Sequence, residues 1–171
     1  GNINGVGNAL ANTINGNSGS NTLLGLGGND VINGNSGNDF IDGGLNTDIM
    51  RGGEGNDTYV VNVSNDQVIE DIPDAIGGTD TVISDVAYTL GANLENLTLT
   101  DLVPNPNING VGNAAANTII GNNGSNTLLG LGGNDTIQGL GGDDYIDGGI
   151  GDDDMEGGDG SDTYIVDSLG D

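Results

Sequence analysis

The chain has no cysteine, no histidine and no lysine, and Arg51 is its only basic side chain among 171 residues. Without cysteine there is no disulfide framework and no thiol chemistry. Without histidine and lysine, the commonest general base, most transition-metal sites and Schiff-base chemistry are excluded. Tryptophan is also absent, and aromatic residues make up only 3% of the chain. No apolar run approaches the length of a membrane span. Against one base stand 26 acids, for a net charge of −25. Such a balance excludes nucleic acid and anionic membrane surfaces as partners.

Glycine and asparagine fill the space left by these absences, with 35 Gly and 26 Asn. Both tolerate positive φ, so the composition suits a dense array of turns. Low hydrophobicity with high charge is the usual signature of disorder. Here, however, the acids and the apolar residues recur in one shared phase. From Gly25 the chain reads GLGGNDVIN, GNSGNDFID, GGLNTDIMR, GGEGNDTYV, and from Gly130 GLGGNDTIQ, GLGGDDYID, GGIGDDDME, GGDGSDTYI. The nine-residue period carries Gly at position 1, usually Gly at position 4, Asp at position 6 and one apolar residue at position 8.

Two repeats are nested. Residues 1–66 align without gaps onto 106–171, an offset of 105, with 44 of 66 positions identical. Six nonapeptides start at Gly7, Gly16, Gly25, Gly34, Gly43 and Gly52, and six more at Gly112, Gly121, Gly130, Gly139, Gly148 and Gly157. The chain starts without Met and stops inside a repeated unit, which reads as a piece of a longer tandem array. The expected organisation is a first block at 1–66, a spacer at 67–105 and a second block at 106–171.

Position 8 is the expected inward-facing core: Ile14, Leu23, Ile32, Ile41, Met50 and Tyr59, then Ile119, Leu128, Ile137, Ile146, Met155 and Tyr164. A three-residue strand with its middle residue inward fits positions 7 to 9. Six Gly/Asn-rich residues make the turn, and so frequent a Gly argues against helix. Two nonapeptides form one coil of about eighteen residues, and stacked coils form an all-β parallel solenoid. The spacer has Pro73, Pro104 and, just beyond it, Pro106. It alternates apolar and polar residues at 81–84, 86–90 and 94–100, which predicts short strands that continue the stack in wider coils.

Successive turns alternate sides, so same-side neighbours lie two repeats apart. Asp30 is expected near Asp48, Asp39 near Asp57, Asp135 near Asp153 and Asp144 near Asp162. At a strand spacing of about 4.8 Å, two such charges repel by roughly 3 kcal/mol at an effective dielectric of about 20. A cation removes that cost. Calcium takes six to eight oxygens in flexible geometry and accepts backbone carbonyls, whereas magnesium wants a tighter octahedron and keeps its waters. Zinc and copper prefer imidazole or thiolate, which the chain lacks. The expected ligands are the eight Asp carboxylates together with open carbonyls of Gly25, Gly27, Gly34, Gly43, Gly52, Gly130, Gly132, Gly139, Gly141, Gly148 and Gly157.

The phrase resembles the RTX (repeats-in-toxin) nonapeptide GGxGxDxUx, a calcium-binding β-helix repeat. The resemblance covers about 108 of the 171 residues. It implies a parallel β-roll with Ca2+ between successive same-side turns. It also implies a bacterial protein exported unfolded by type I machinery, which folds on meeting extracellular calcium. The spacer phrases TDTV and ENLTLT are similar to those between such repeats. Departures from the pattern are Asn12, Asn21, Asn117 and Asn126 at position 6, where sites should be weak or empty, and Asn46 at position 4. The second block is more acidic: Asp143, Asp152, Asp154, Glu156 and Asp159 stand where the first has Asn38, Thr47, Ile49, Arg51 and Glu54.

The expected function is a non-catalytic calcium-binding structural module of a secreted or cell-surface protein, stiffened by calcium. Its expected partners are calcium and neighbouring repeats of a larger parent, with end-to-end self-association through exposed strand edges. An array segment of an adhesin is favoured by the 105-residue repeat. The secretion and folding region of an RTX enzyme or toxin comes next. An ice- or polysaccharide-binding solenoid ranks last, because position 3 (Ala9, Ser18, Gly27, Ser36, Leu45, Glu54) forms no regular file. Asp152-x-Asp154-x-Glu156-Gly157 begins like an EF-hand loop, but the twelfth position is Thr163 and the repeat phase already accounts for these acids.

Overall fold

The computed structural model describes residues 1–72, 74–102 and 107–171. Pro73, Pro104 and Pro106 of the spacer region lie outside the described residues. The chain divides into two units, 1–83 and 84–171, and each is an all-β parallel solenoid.

In the first unit the strands are β1 (Gly5–Asn8), β2 (Thr13–Asn15), β3 (Thr22–Leu26), β4 (Val31–Ser36), β5 (Phe40–Asp42), β6 (Ile49–Glu54), β7 (Thr58–Val61), β8 (Gln67–Val68) and β9 (Thr81–Ser84). Odd strands β1-β3-β5-β7-β9 follow one another in one sheet, and even strands β2-β4-β6-β8 make the other. Each strand therefore hands the chain to the opposite sheet through a Gly/Asn-rich turn. Partners are eighteen residues apart, as in Ile14↔Ile32 and Ile41↔Tyr59, which is the coil length expected from two nonapeptides. A four-residue helical turn, α1 (Asp74–Gly77), precedes β9. It is part of a longer excursion: the backbone N–H of Asp57 reaches Asp80, 23 residues on.

The second unit contains β10 (Tyr88–Thr89), β11 (Asn96–Leu99), β12 (Gly110–Val111), β13 (Thr118–Ile120), β14 (Thr127–Leu129), β15 (Thr136–Gly141), β16 (Tyr145–Asp147), β17 (Asp154–Asp159) and β18 (Thr163–Ile165). The even strands β10 to β18 form one sheet, and β11-β13-β15-β17 stack in the other. Its first coils are wider, with Tyr88↔Gly110 and Leu97↔Ile119 each 22 residues apart. From Thr118↔Thr136 onward the register returns to eighteen. The segment expected to be β-rich, 67–105, thus carries β8, β9, β10 and β11.

The core is a stack of single apolar residues. Leu23, Ile32, Ile41, Met50 and Tyr59, and Ile119, Leu128, Ile137 and Ile146, are all fully buried. Val82 in the first unit, and Leu94 and Leu97 in the second, are likewise fully buried. Ile14 and Met155 are only half-buried, and Tyr164 is 42% exposed. Their strands β2, β17 and β18 each pair on one side only within their sheets, so no further coil covers them. A core one residue wide offers little burial per coil. The turns must supply the rest.

Candidate metal centre

The turns place the position-6 carboxylates in files. Oδ1 of each Asp accepts the backbone N–H of the position-6 residue in the previous same-side coil. Asp30 N–H donates to Asp48 at 2.7 Å, Asp39 to Asp57 at 2.7 Å, Asp135 to Asp153 at 2.8 Å and Asp144 to Asp162 at 2.9 Å. These are the four same-side pairs expected from the period. At the start of each file the donor is an asparagine: Asn12 to Asp30, Asn21 to Asp39, Asn117 to Asp135 and Asn126 to Asp144.

The second oxygen of these carboxylates is in a different situation. Oδ2 of Asp30, Asp39, Asp48, Asp57, Asp135, Asp144 and Asp153 is buried and has no hydrogen-bond partner. The surroundings are themselves acceptors. A Cβ placed on Gly25 would collide with both Asp30 Oδ2 and the carbonyl of Gly43. The same crowding recurs at Gly34 (Asp39 Oδ2, Gly52 O), Gly130 (Asp135 Oδ2, Gly148 O) and Gly139 (Asp144 Oδ2, Gly157 O). Position 1 is therefore glycine because a side chain would fill the space in which carboxylate and carbonyl oxygens converge. Buried acceptors facing acceptors are costly unless a cation or proton lies between them. Among the described residues no three Asp or Glu side chains cluster as a metal-binding group. A cation held here must draw on backbone carbonyls as well as carboxylates, a donor set that suits calcium. A methyl group on Gly27, Gly132 or Gly141 would leave this space unfilled: a Cβ there meets nothing closer than 3.4 Å, and no carboxylate of the file.

The electrostatics agree with the geometry. Burial raises the Asp57 carboxyl to about 8 and those of Asp48 and Asp135 to about 6, with neighbouring carboxylates adding to the rise and one backbone N–H opposing it. Asp39 and Asp144 are raised by burial as well. Because these folded values exceed the unfolded 3.8, the metal-free fold binds protons more tightly than the unfolded chain. Its stability is full below the unfolded value and falls as pH rises through about 6 and then about 8. The calcium-free chain is thus expected to show more β-sheet signal by circular dichroism at pH 5 than at pH 8. An equal or weaker signal at pH 5 contradicts this.

Three members of the files were not anticipated from the nonapeptide phase. Asp48 N–H donates to Asp66, Asp57 N–H to Asp80 and Asp153 N–H to Asp171. Asp66 and Asp171 close their files. Their remaining oxygens take local backbone N–H groups, Val63 for Asp66 and Asp167 and Ser168 for Asp171. These hydrogen bonds hold the Asp171 carboxyl below the usual range. The spacing was a usable signal, since 66 and 171 lie eighteen beyond 48 and 153. Asp80 is displaced by the five extra residues of its coil, so no periodic reading finds it.

Tyr59 ends the first block differently. Its hydroxyl donates to buried Glu70, whose Oε1 also accepts the N–H groups of Gly52 at 3.1 Å and Gly53 at 3.2 Å. Tyr164 accepts directly from Gly157 N–H at 2.6 Å. Tyr59 thus reaches the position-1 glycine of its turn through Glu70, and Tyr164 reaches its own directly. The EF-hand alternative fails, because Asp154–Asp159 is strand β17.

Comparison with protein families places four copies of the RTX calcium-binding nonapeptide repeat at residues 6–41, 24–59, 111–138 and 129–164. Together they span 6–59 and 111–164, well over half of the chain. The chain belongs to the RTX calcium-binding nonapeptide-repeat family. RTX nonapeptides bind Ca2+ between turns, and calcium is accordingly the ion for which these turns are built. No curated protein matches the chain. Among the described residues no helix is long and apolar enough to cross a membrane.

Proposed function

We propose that this RTX β-roll is a non-catalytic structural module of a secreted or cell-surface bacterial protein, which folds and stiffens when it binds calcium. The observation that carries the reading is the set of seven buried Asp Oδ2 atoms without a hydrogen-bond partner. They leave the fold incomplete in the absence of a cation. The proposed ligands are Asp30, Asp39, Asp48, Asp57, Asp135, Asp144, Asp153 and Asp162. Carbonyls of the position-1 glycines join them, and those of Gly27, Gly132 and Gly141 complete the set. The proposed repeat organisation is 1–66, 67–105 and 106–171. The 105-residue tandem repeat favours a segment of an extended array over the secretion and folding region of an RTX enzyme.

The two blocks should not respond alike. The four acids that the second block adds in its Asp turns, Asp143, Asp152, Asp154 and Glu156, raise the local negative potential and with it calcium affinity. A calcium titration followed by residue-resolved NMR is expected to order residues 127–165 at lower free calcium than residues 22–61. Equal midpoints, or the reverse order, contradict the assignment.

A further inference from the structure

The twelve turns are of two kinds, and the residue at position 6 sorts them without exception. In the eight Asp turns, position 2 has positive φ: Leu26, Asn35, Gly44, Gly53, Leu131, Leu140, Gly149 and Gly158, from 74° to 100°. Leucine in this left-handed region is strained, yet three of the eight are leucine. In the four Asn turns, none of the position-2 residues has positive φ. Each is an asparagine, giving the pattern G-N-x-x-x-N at 7–12, 16–21, 112–117 and 121–126.

The pattern closes a ring of hydrogen bonds. The position-6 Oδ1 accepts the position-2 N–H: Asn8 to Asn12 at 2.8 Å, Asn17 to Asn21 at 2.8 Å, Asn113 to Asn117 at 2.7 Å and Asn122 to Asn126 at 2.9 Å. The position-2 Oδ1 in turn accepts the position-4 N–H, from Leu10, Gly19, Ala115 and Gly124 at 2.8–3.0 Å. In the second unit the position-6 amide group also serves as a donor. Asn117 Nδ2 reaches the carbonyls of Leu94 at 3.1 Å and Glu95 at 3.3 Å, and Asn126 Nδ2 that of Ile108 at 2.7 Å. The oxygen that is orphaned in an Asp turn is therefore satisfied here by a backbone N–H, and no charge awaits compensation.

We propose that the G-N-x-x-x-N turns are calcium-independent and form a prefolded seed at the head of each block, on which the calcium-dependent Asp coils stack. The seed also prepares the next coil. Its position-6 backbone N–H groups are the donors that Asp30, Asp39, Asp135 and Asp144 accept, so the first carboxylate of each file docks on a finished surface. This rests on the calcium reading of the Asp turns given above.

Amide hydrogen exchange on the full chain tests it, first in chelator and then in calcium. In chelator the ring amides of Asn113, Ala115, Asn122 and Gly124 are expected to exchange about tenfold or more slowly than those of Asp135 and Asp144, and calcium should then protect both sets. The N117D/N126D variant should lose the protection of the ring amides in chelator and regain it in calcium. Equal exchange of the two sets in chelator, with protection of both by calcium, overturns the seed and leaves the calcium reading intact. So does retention of chelator protection in the variant. Failure of the Asp135 and Asp144 amides to gain protection in calcium overturns both.

Discussion

Chelating calcium is expected to dismantle the Asp-rich coils of both blocks, with loss of most of the β-sheet circular-dichroism signal at neutral pH. The argument is one of magnitude. Four Asp pairs with both members at position 6 of a nonapeptide are stacked at the spacing of neighbouring strands. Roughly 3 kcal/mol of repulsion each makes about 12 kcal/mol, which is as large as the whole stability of an ordinary domain. Protonation relieves part of this at low pH and little of it above about 8, the raised value of Asp57. The opposing core is a single file of residues such as Ile32, Ile41 and Ile137, each contributing about 1.5–3 kcal/mol on burial, against an ordering cost of about 1–2 kcal/mol for every residue of an eighteen-residue coil. Metal binding is in such a case folding free energy. A chain that keeps its full β signal in excess chelator at pH 8 refutes this balance.

Gly34→Ala and Gly139→Ala are expected to be severely damaging in their blocks, although they add only one methyl group. At both positions φ lies outside the left-handed region, so alanine strains no backbone. What the methyl meets is the cradle itself: Asp39 Oδ2 and the Gly52 carbonyl in one case, Asp144 Oδ2 and the Gly157 carbonyl in the other. Overpacking alone costs about 1–3 kcal/mol. Displacement of the ion adds the lost binding free energy, so calcium affinity of that block should fall by about tenfold or more. Gly27→Ala and Gly132→Ala are the matched controls, because a Cβ there meets nothing closer than 3.8 Å. They should be close to neutral. Isothermal titration of the four variants decides the matter. Equal affinities in both sets would mean that the space beside position 1 holds no cation.

The parts of this molecule that were legible in the sequence are those that repeat. The period of nine placed Leu23, Ile32 and Ile146 in the core and paired Asp30 with Asp48, because a solenoid turns sequence spacing directly into spatial register. Legibility failed where the chain leaves its period or where a non-repeating partner intervenes. Asp80 depends on five inserted residues. Glu70 stands eighteen residues beyond Gly52, where other coils have a glycine, and only the three-dimensional stack shows its carboxylate meeting Tyr59 and Gly52. Leu26 and Leu131 occupy left-handed turns that composition assigns to glycine or asparagine. The asparagines at position 6 were read as weakened ligands, and their closed hydrogen-bond rings became visible only in the folded turn.

The most direct test of the account is a count of calcium ions bound per chain by native mass spectrometry at neutral pH, with hydrogen exchange recorded on the same samples. Four pairs with aspartate at position 6 of both nonapeptides set the minimum. The account predicts at least four calcium ions, with protection of the Asp-turn amides appearing as they bind. Fewer than four ions, or four ions bound with no gain in protection, would contradict it.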